Sequence, residues 1–292
     1  MKDNAFMNCD VEDLHKAQLD ILREVKRVCN KNNLRYYLCF GTCLGAVRHK
    51  GFIPWDSDID IVMYASDADK LLTLQNEFKD EYFIQSNDTD PGFGANCIRI
   101  RKSDTTFIER ELRDQDINHG VWIDVYPLYY CPKSDMKKRF YIILSFFNRL
   151  LIANRVPQNH GKAVKIVSNT ILTIIPNGLK KKISRGINNK LKSYKDTEEV
   201  FHYLNGNLKL RNPDISKAAW FQEPKDMEFE GELFSGPTCP DEFLTMTYGN
   251  YMKLPPKEEQ VVKFDGAFID TNNSYKKYKG IKYCKKRNRV NK

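Results

Sequence analysis

Tyr36–Met63 reads YYLCFGTCLGAVRHKGFIPWDSDIDIVM. Its closing run, Asp58-Ile59-Asp60-Ile61-Val62-Met63, alternates acid and aliphatic residues with a period of two, the pattern of a β-strand. Residues two apart on a strand share a face, so Asp58 and Asp60 project together while Ile59, Ile61 and Met63 turn into a core. Two ionised carboxylates on one face repel each other and need a compensating cation. Carboxylate-rich sites favour a hard ion, and Mg²⁺ is held by one or two carboxylates together with phosphate oxygens. The run predicts a site that handles phosphates.

Upstream, Gly41-Thr42 lies between a strand predicted over Arg35–Phe40 and a short helix over Cys43–His49. Such a turn presents backbone N–H groups and a hydroxyl at a helix N-terminus, a cradle for phosphate. Gly-Thr turns are common, and this one gains weight from its position, one helix before Asp58. A further carboxylate is expected from a neighbouring strand. Asp124, inside the apolar run Val121–Tyr126, is the candidate, because an isolated buried aspartate is costly unless paired or metal-bound. The alternative is a strand-end residue capping a turn before Pro127. Asp56 is a further metal ligand or an anchor for Arg48. Arg48 is a bidentate phosphate clamp or a cation at a helix C-terminus. His49 is a proton shuttle or a helix-end residue. Arg99 and Arg101 share a strand face and either bind phosphate or pair with acids.

The chain has 292 residues, 41% of them apolar and 12% aromatic, a globular composition sufficient for one large domain or two small ones. Its eight cysteines are scattered without a C-x-x-C pair, which reads as free thiols in a reducing cytosol rather than a zinc or disulfide framework. The first residues lack a signal-peptide apolar core, and no stretch is long and apolar enough to span a bilayer. A cytoplasmic location is expected, and the two N-glycosylation sequons read as chance matches. The net charge of +9 hides an asymmetry. Between Lys133 and Lys195 there are fifteen Lys or Arg and one acid, Asp135, and Lys276–Lys292 holds nine more basic residues and no acid. An acidic body carries a basic insert and a basic tail.

Periodicity predicts a first helix over Val11–Lys31 and another over Ser66–Lys79. Strands are predicted at Tyr82–Gln85, Cys97–Arg101, Thr105–Glu109 and Val121–Tyr126, the last stopped by Pro127. Two apolar helices, Phe140–Ala153 and Ala163–Ile175, and a lysine-rich helix after Gly178 build the insert. Short strands and turns around Phe229–Pro237 follow, then a helix at Pro240–Tyr248. The segment Gly249–Pro256 ends the fold, and the last residues form an exposed tail.

Strand, Gly-Thr turn, short helix and Asp-x-Asp strand is the arrangement of the nucleotidyltransferase superfamily. More narrowly, Gly41-Thr42-x-Leu44-Gly45-Ala46-x-Arg48-His49-x-Gly51-Phe52-Ile53-Pro54-Trp55-Asp56-x-Asp58-Ile59-Asp60-Ile61 resembles the signature of the LicD family of phosphotransferases. Asp124-Val125-Tyr126-Pro127-Leu128 resembles its second block, and Tyr248-Gly249 followed by Pro255 its closing one. The resemblance implies a mixed α/β (α+β) fold, a nucleotidyltransferase-like catalytic core with a mixed sheet flanked by helices; the basic helical insert, read from charge and periodicity, matches no motif of that family. The implied layout is a core over 1–132, the insert over 133–200, the C-terminal part of the domain over 201–275 and a tail over 276–292. The implied activity moves a phospho-alcohol such as phosphocholine from a CDP-alcohol donor to a hydroxyl of a glycan acceptor, lipid-linked in one version. Fukutin-related enzymes using CDP-ribitol are relatives. Carried over, Asp58, Asp60 and Asp124 become catalytic metal ligands for Mg²⁺ or Mn²⁺, joined by Asp56; Gly41, Thr42, Arg48, His49, Arg99 and Arg101 stay the substrate-binding candidates that the residues themselves suggest. Ser57 departs from the family, which often has another acid there, at a position pointing away from the metal face.

Plain nucleotidyl transfer, releasing pyrophosphate, is the rival reaction. A rival of another class is a non-catalytic nucleic-acid- or membrane-binding protein, prompted by the basic insert and tail. Basic, aromatic-rich amphipathic helices favour an anionic membrane surface over nucleic acid, which is not expected as a partner. A peripheral position at the inner face of the membrane is one expectation for the insert, and a helical subdomain with solvated lysines is the other.

Overall fold

The computed structural model describes residues 10–156, 161–204, 214–262, 264 and 266–285. The predicted loop at 157–160 and the end of the tail, 286–292, lie outside them. In chain order the elements are α1 (Val11–Lys31), β1 (Tyr37–Leu38), α2 (Phe40–Arg48), β2 (Asp60–Tyr64), α3 (Ala65–Leu71), β3 (Tyr82–Gln85), β4 (Ile98–Lys102), β5 (Thr106–Glu109) and β6 (Val121–Tyr130). Then follow α4 (Asp135–Ala153), α5 (Lys162–Ile174), α6 (Asn177–Leu191), β7 (Glu199–Phe201), β8 (Ile215–Lys217), β9 (Lys225–Phe229), β10 (Glu232–Gly236), α7 (Pro240–Tyr248) and β11 (Gly266–Asp270).

The main sheet runs β1-β2-β6-β4-β3, with β7 joined to the far end of β6 and β8 to β7. Only β2 and β6 are parallel, and the other pairs are antiparallel, so the sheet is mixed as expected. α1 starts on an Asp10 cap, whose carboxylate accepts from the Asp13 N–H at 2.9 Å. Its apolar stripe (Leu14, Ile21, Leu22, Val25, Val28) is fully buried, each residue contributing about 1.5–3 kcal/mol of burial, and packs across β6 and β4. β2 is buried on both faces beyond Asp60, as a central parallel strand must be.

Four predictions need correction. The strand bearing Asp124 does not stop at Pro127 but continues to Tyr130. The Asp124 N–H donates to Ile59 O just before β2, so by alternation the nitrogen of Pro127 faces the other neighbour. On that side β4 begins opposite Val125 and β7 pairs only from Tyr129, so proline's missing donor falls in a gap. The helix predicted over Ser66–Lys79 ends at Leu71 because the Thr73 hydroxyl bonds back to Lys70 O at 2.7 Å. Gln75 then caps the edge of β3, giving its amide to Tyr82 O and accepting from the Ile84 N–H. The fold does not end at Pro256, because β11 pairs with β5. Nor is the start of the tail free: Tyr283 is buried, and with Tyr275 and Tyr278 it packs on Ile108 and Phe268.

The insert is built as predicted from three helices. α4 and α6 pack together over a small core that includes Tyr141, Leu151, Ile187 and Phe201. α5 lies at its edge, with Ile171 packed against the cluster and Ile166, Val167 and Ile174 exposed. Among the described residues no helix is long and apolar enough to cross a membrane.

Candidate active site

Asp60 opens β2 and sits directly opposite Asp124 in the parallel register with β6. Asp58 lies just before the strand, and the carboxyls of Asp56 and Asp58 are in hydrogen-bond contact. Strand pairing thus brings the predicted acids into one cluster. Asp58 stays open to solvent at its outer edge. Surrounding protein, then the neighbouring Asp56, push its carboxyl well above the usual range. Asp60 rises likewise, through burial first and then Asp58 and Asp124. One Asp60 oxygen, Oδ1, is buried with no hydrogen-bond partner.

α2 begins at Phe40, earlier than expected, so Gly41 and Thr42 lie in its first turn rather than in a loop before it. Its N-cap, Cys39, makes no side-chain cap bond, which leaves first-turn N–H groups for an anion. A Cβ on Gly41 would stand 2.3 Å from Asp56 Oδ2, so the missing side chain makes room for that carboxylate. The Thr42 hydroxyl is buried and accepts the Asp60 N–H at 2.8 Å, tying the helix to the aspartate strand. The loop between them is braced from elsewhere. On α1, His15 Nε2 reaches Asp56 O at 2.8 Å while its ring stacks on Phe52, and Gln18 donates to Ser57 O and Trp122 O. Glu230, at the tip of the β9–β10 hairpin, accepts from the Phe52 N–H. Periodicity did not single out His15 and Gln18, although a nearly fully buried glutamine on an apolar helix face is a signal.

The two strand arginines part company. Arg99 bridges Asp124 (Nε to Oδ1, 2.8 Å) and Glu109 (Nη1 to Oε2, 2.6 Å) and lies over Trp122. Burial opposes its charge, but the two carboxylates outweigh that and raise its pKa. Arg101 is fully buried, giving its donors to Gln85, Gly120 O and Glu109. Burial, then Arg99, push it down to about 10. It offers no surface to a substrate and works as a core cation. Asp124 also accepts from Trp122 Nε1 at 3.1 Å and Cys97 Sγ at 3.4 Å. Arg48 donates to Tyr251 O at 2.7 Å, pinning the segment after α7. His49 packs edge-on against Trp55 and, desolvated, titrates below its usual value.

For a metal the donor chemistry fits: all-oxygen, anionic, with an orphaned Asp60 oxygen at its centre. Asp58 and Asp60 could hold the ion, with Asp56 beside them, while both Asp124 oxygens are engaged by Arg99, Cys97 and Trp122. Among the described residues no three or more His, Cys, Asp or Glu side chains converge in a complete metal-binding geometry.

Paired strand carboxylates under a glycine-led helix N-terminus, on a mixed sheet, define an enzyme of the nucleotidyl- and phosphotransfer class. Residues 33–147 match the family model described as LicD/FKTN/FKRP, nucleotidyltransferase domain. It is similar to the lipopolysaccharide cholinephosphotransferase LicD of Haemophilus influenzae, with 27% identity over 254 residues, 83% of this chain and 91% of that protein. It also resembles an uncharacterized Rickettsia typhi protein, 32% identical over 108 residues, 37% of this chain and 32% of that one.

Proposed function

We propose that this chain transfers a phospho-alcohol, phosphocholine first among them, from a CDP-activated donor to a hydroxyl of a lipopolysaccharide or related cell-surface glycan. The observation that carries the reading is the carboxylate cluster of Asp56, Asp58 and Asp60 gathered beside the uncapped N-terminus of α2. The similarity to a lipopolysaccharide cholinephosphotransferase over most of both chains supports the choice of donor group and acceptor.

First-turn N–H groups of α2 receive donor phosphate oxygens, and the bare Gly41 lets them approach. Mg²⁺ or Mn²⁺, held by Asp58 and Asp60, would supply charge neutralisation when bound. Asp56 takes the proton of the attacking hydroxyl, because Asp124 is already held by Arg99, Trp122 and Cys97. The acceptor oxygen bonds to the phosphorus carrying the alcohol, the bond from that phosphorus to the bridging oxygen breaks, and CMP departs. Arg99 and Trp122 fix Asp124 beside Asp60, and His15 and Gln18 fix the loop that carries Asp56.

The test is to incubate the full chain and Mg²⁺ with CDP-choline, CDP-ethanolamine, CDP-glycerol and CDP-ribitol plus a glycan acceptor, and to follow CMP. CMP release that vanishes in Asp58→Asn supports the scheme. Release unaffected by Asp58→Asn sinks it, and pyrophosphate from a nucleoside triphosphate in place of CMP moves the reaction to nucleotidyl transfer.

A peripheral contact of the insert with an anionic membrane belongs to the same proposal. Its support is the exposed Ile166, Val167 and Ile174 of α5 beside Lys162 and Lys165, an aliphatic face with cations at its start.

A further inference from the structure

A cavity of about 670 Å³ lies between the sheet and the helical insert. Pro127 and Tyr129 form part of its wall. Along β6 these residues alternate with Asp124, so this part of the wall lies on the face of the sheet opposite the carboxylate cluster, while Cys97, which donates to Asp124, forms a further part of the wall.

The charge on its far wall runs against the usual rule. α6 opens Asn177-Gly178-Leu179-Lys180-Lys181-Lys182, with no acid in the first turn and no side-chain cap. Helix dipoles favour anions at that end, and cations there are disfavoured. Lys180 is nonetheless only 6% exposed. Its ammonium donates to Asn154 Oδ1 at 2.6 Å and Asn177 Oδ1 at 3.1 Å. Both partners are neutral amides, and among the described residues no carboxylate pairs with it. A buried cation held only by amides keeps its charge uncompensated, and one of its three N–H donors is left over. Lys181 and Arg185 share the wall, again without an ion-pair partner among the described residues. Of the two acids there, Asp69 is taken by Lys192 at 2.5 Å, leaving Asp88. Asn148, 1% exposed, donates to Asn96 and Asn188, while its own Oδ1 has no partner. An amide oxygen so placed wants a hydroxyl donor.

We infer that this cavity is a second ligand site, separate from the carboxylate cluster, for a phosphorylated sugar. The phosphate sits on Lys180, Lys181, Arg185 and the first-turn N–H groups of α6, and sugar hydroxyls meet the asparagine amides. The volume is in the range of small-ligand pockets, and the mixture of cations and amides suits neither a purely apolar nor a purely inorganic occupant.

Titration calorimetry on the full chain tests this with glucose 6-phosphate, inorganic phosphate and glucose as probes. Glucose 6-phosphate is expected to bind saturably, more tightly than phosphate, with glucose weakest. Lys180→Met and Arg185→Gln should each weaken it about tenfold or more, the loss of one charge-assisted contact. Lys182→Gln, whose side chain is outside the wall, and Asp58→Asn should leave it within about twofold. Should Lys180→Met fail to fold, the solvent-exposed Lys181→Gln and Arg185→Gln carry the test alone. The inference is overturned by absence of saturable glucose 6-phosphate binding at millimolar concentration. It is equally overturned if binding is indifferent to Lys181→Gln and Arg185→Gln, or is abolished by Asp58→Asn.

Discussion

Replacing Gly41 by alanine should separate catalysis from stability. The new methyl carbon would lie 2.3 Å from Asp56 Oδ2, where a relaxed contact needs more than about 3 Å. The obstructing atom is the end of a rotatable carboxylate, so the backbone can stay in place while Asp56 swings away by roughly 1 Å. Misplacement on that scale costs about 10²-fold in rate, or about 2.7 kcal/mol of transition-state stabilisation. Stability should move the other way. Gly41 lies in the first turn of α2 outside the left-handed region, and alanine there gains up to about 1 kcal/mol over glycine. The assay pairs CMP release with thermal melting. The expected outcome is kcat down about 100-fold with Tm unchanged or raised. A double mutant with Asp56→Asn isolates the route: if the methyl acts by displacing Asp56, the two losses do not multiply. Activity of Gly41→Ala within about twofold of wild type, or fully multiplicative losses in the double mutant, refutes the reasoning.

Asp60→Asn should abolish turnover yet raise Tm in metal-free buffer, because Asp60 Oδ1 is a buried carboxylate oxygen without a partner among crowded acids; a lowered Tm would count against that account. His119 is fully buried and packs on Tyr283, and burial pushes its imidazole down to about 4. Its folded value lies below the unfolded one of about 6.5, so the unfolded chain takes up a proton that the folded chain refuses. Its contribution is complete above about pH 6.5 and is lost as pH falls toward 4, about 2 kcal/mol of it by pH 5. The urea midpoint should therefore shift less between pH 7.5 and 5 in His119→Gln than in wild type, and equal shifts would exclude the effect. Ile166→Glu with Ile174→Glu on α5 should reduce sedimentation with anionic vesicles at low salt while CMP release from a soluble acceptor stays within about twofold. Unchanged sedimentation would remove the membrane contact.

Where chain neighbours set the geometry, the one-dimensional pattern was enough. α1 spans the predicted Val11–Lys31, β3 the predicted Tyr82–Gln85 and α7 the predicted Pro240–Tyr248. In each, the period and the end signals lie within a few residues of one another. Asp60 and Asp124 stand out in the sequence for the same reason: an acid in an apolar strand is conspicuous at short range. Arg99 and Arg101 were not separable, because both share one strand face and only the packing of Gln85, Glu109 and Trp122 around them makes one reach Asp124 and the other close off in the core.

The chain's own order of residues determined the period of each helix and strand, the Asp-x-Asp run and the charge asymmetry between body and insert. Tertiary structure alone decided that Pro127 falls in a gap between partners, that β11 returns to β5, that α1 reaches the loop of Asp56 through His15 and Gln18, and that Lys180 is buried against amides. Periodicity is a property of bond geometry between near neighbours. Which donor meets which acceptor depends on contacts across as many as 209 residues, as between Arg23 and Glu232, and no local pattern encodes these.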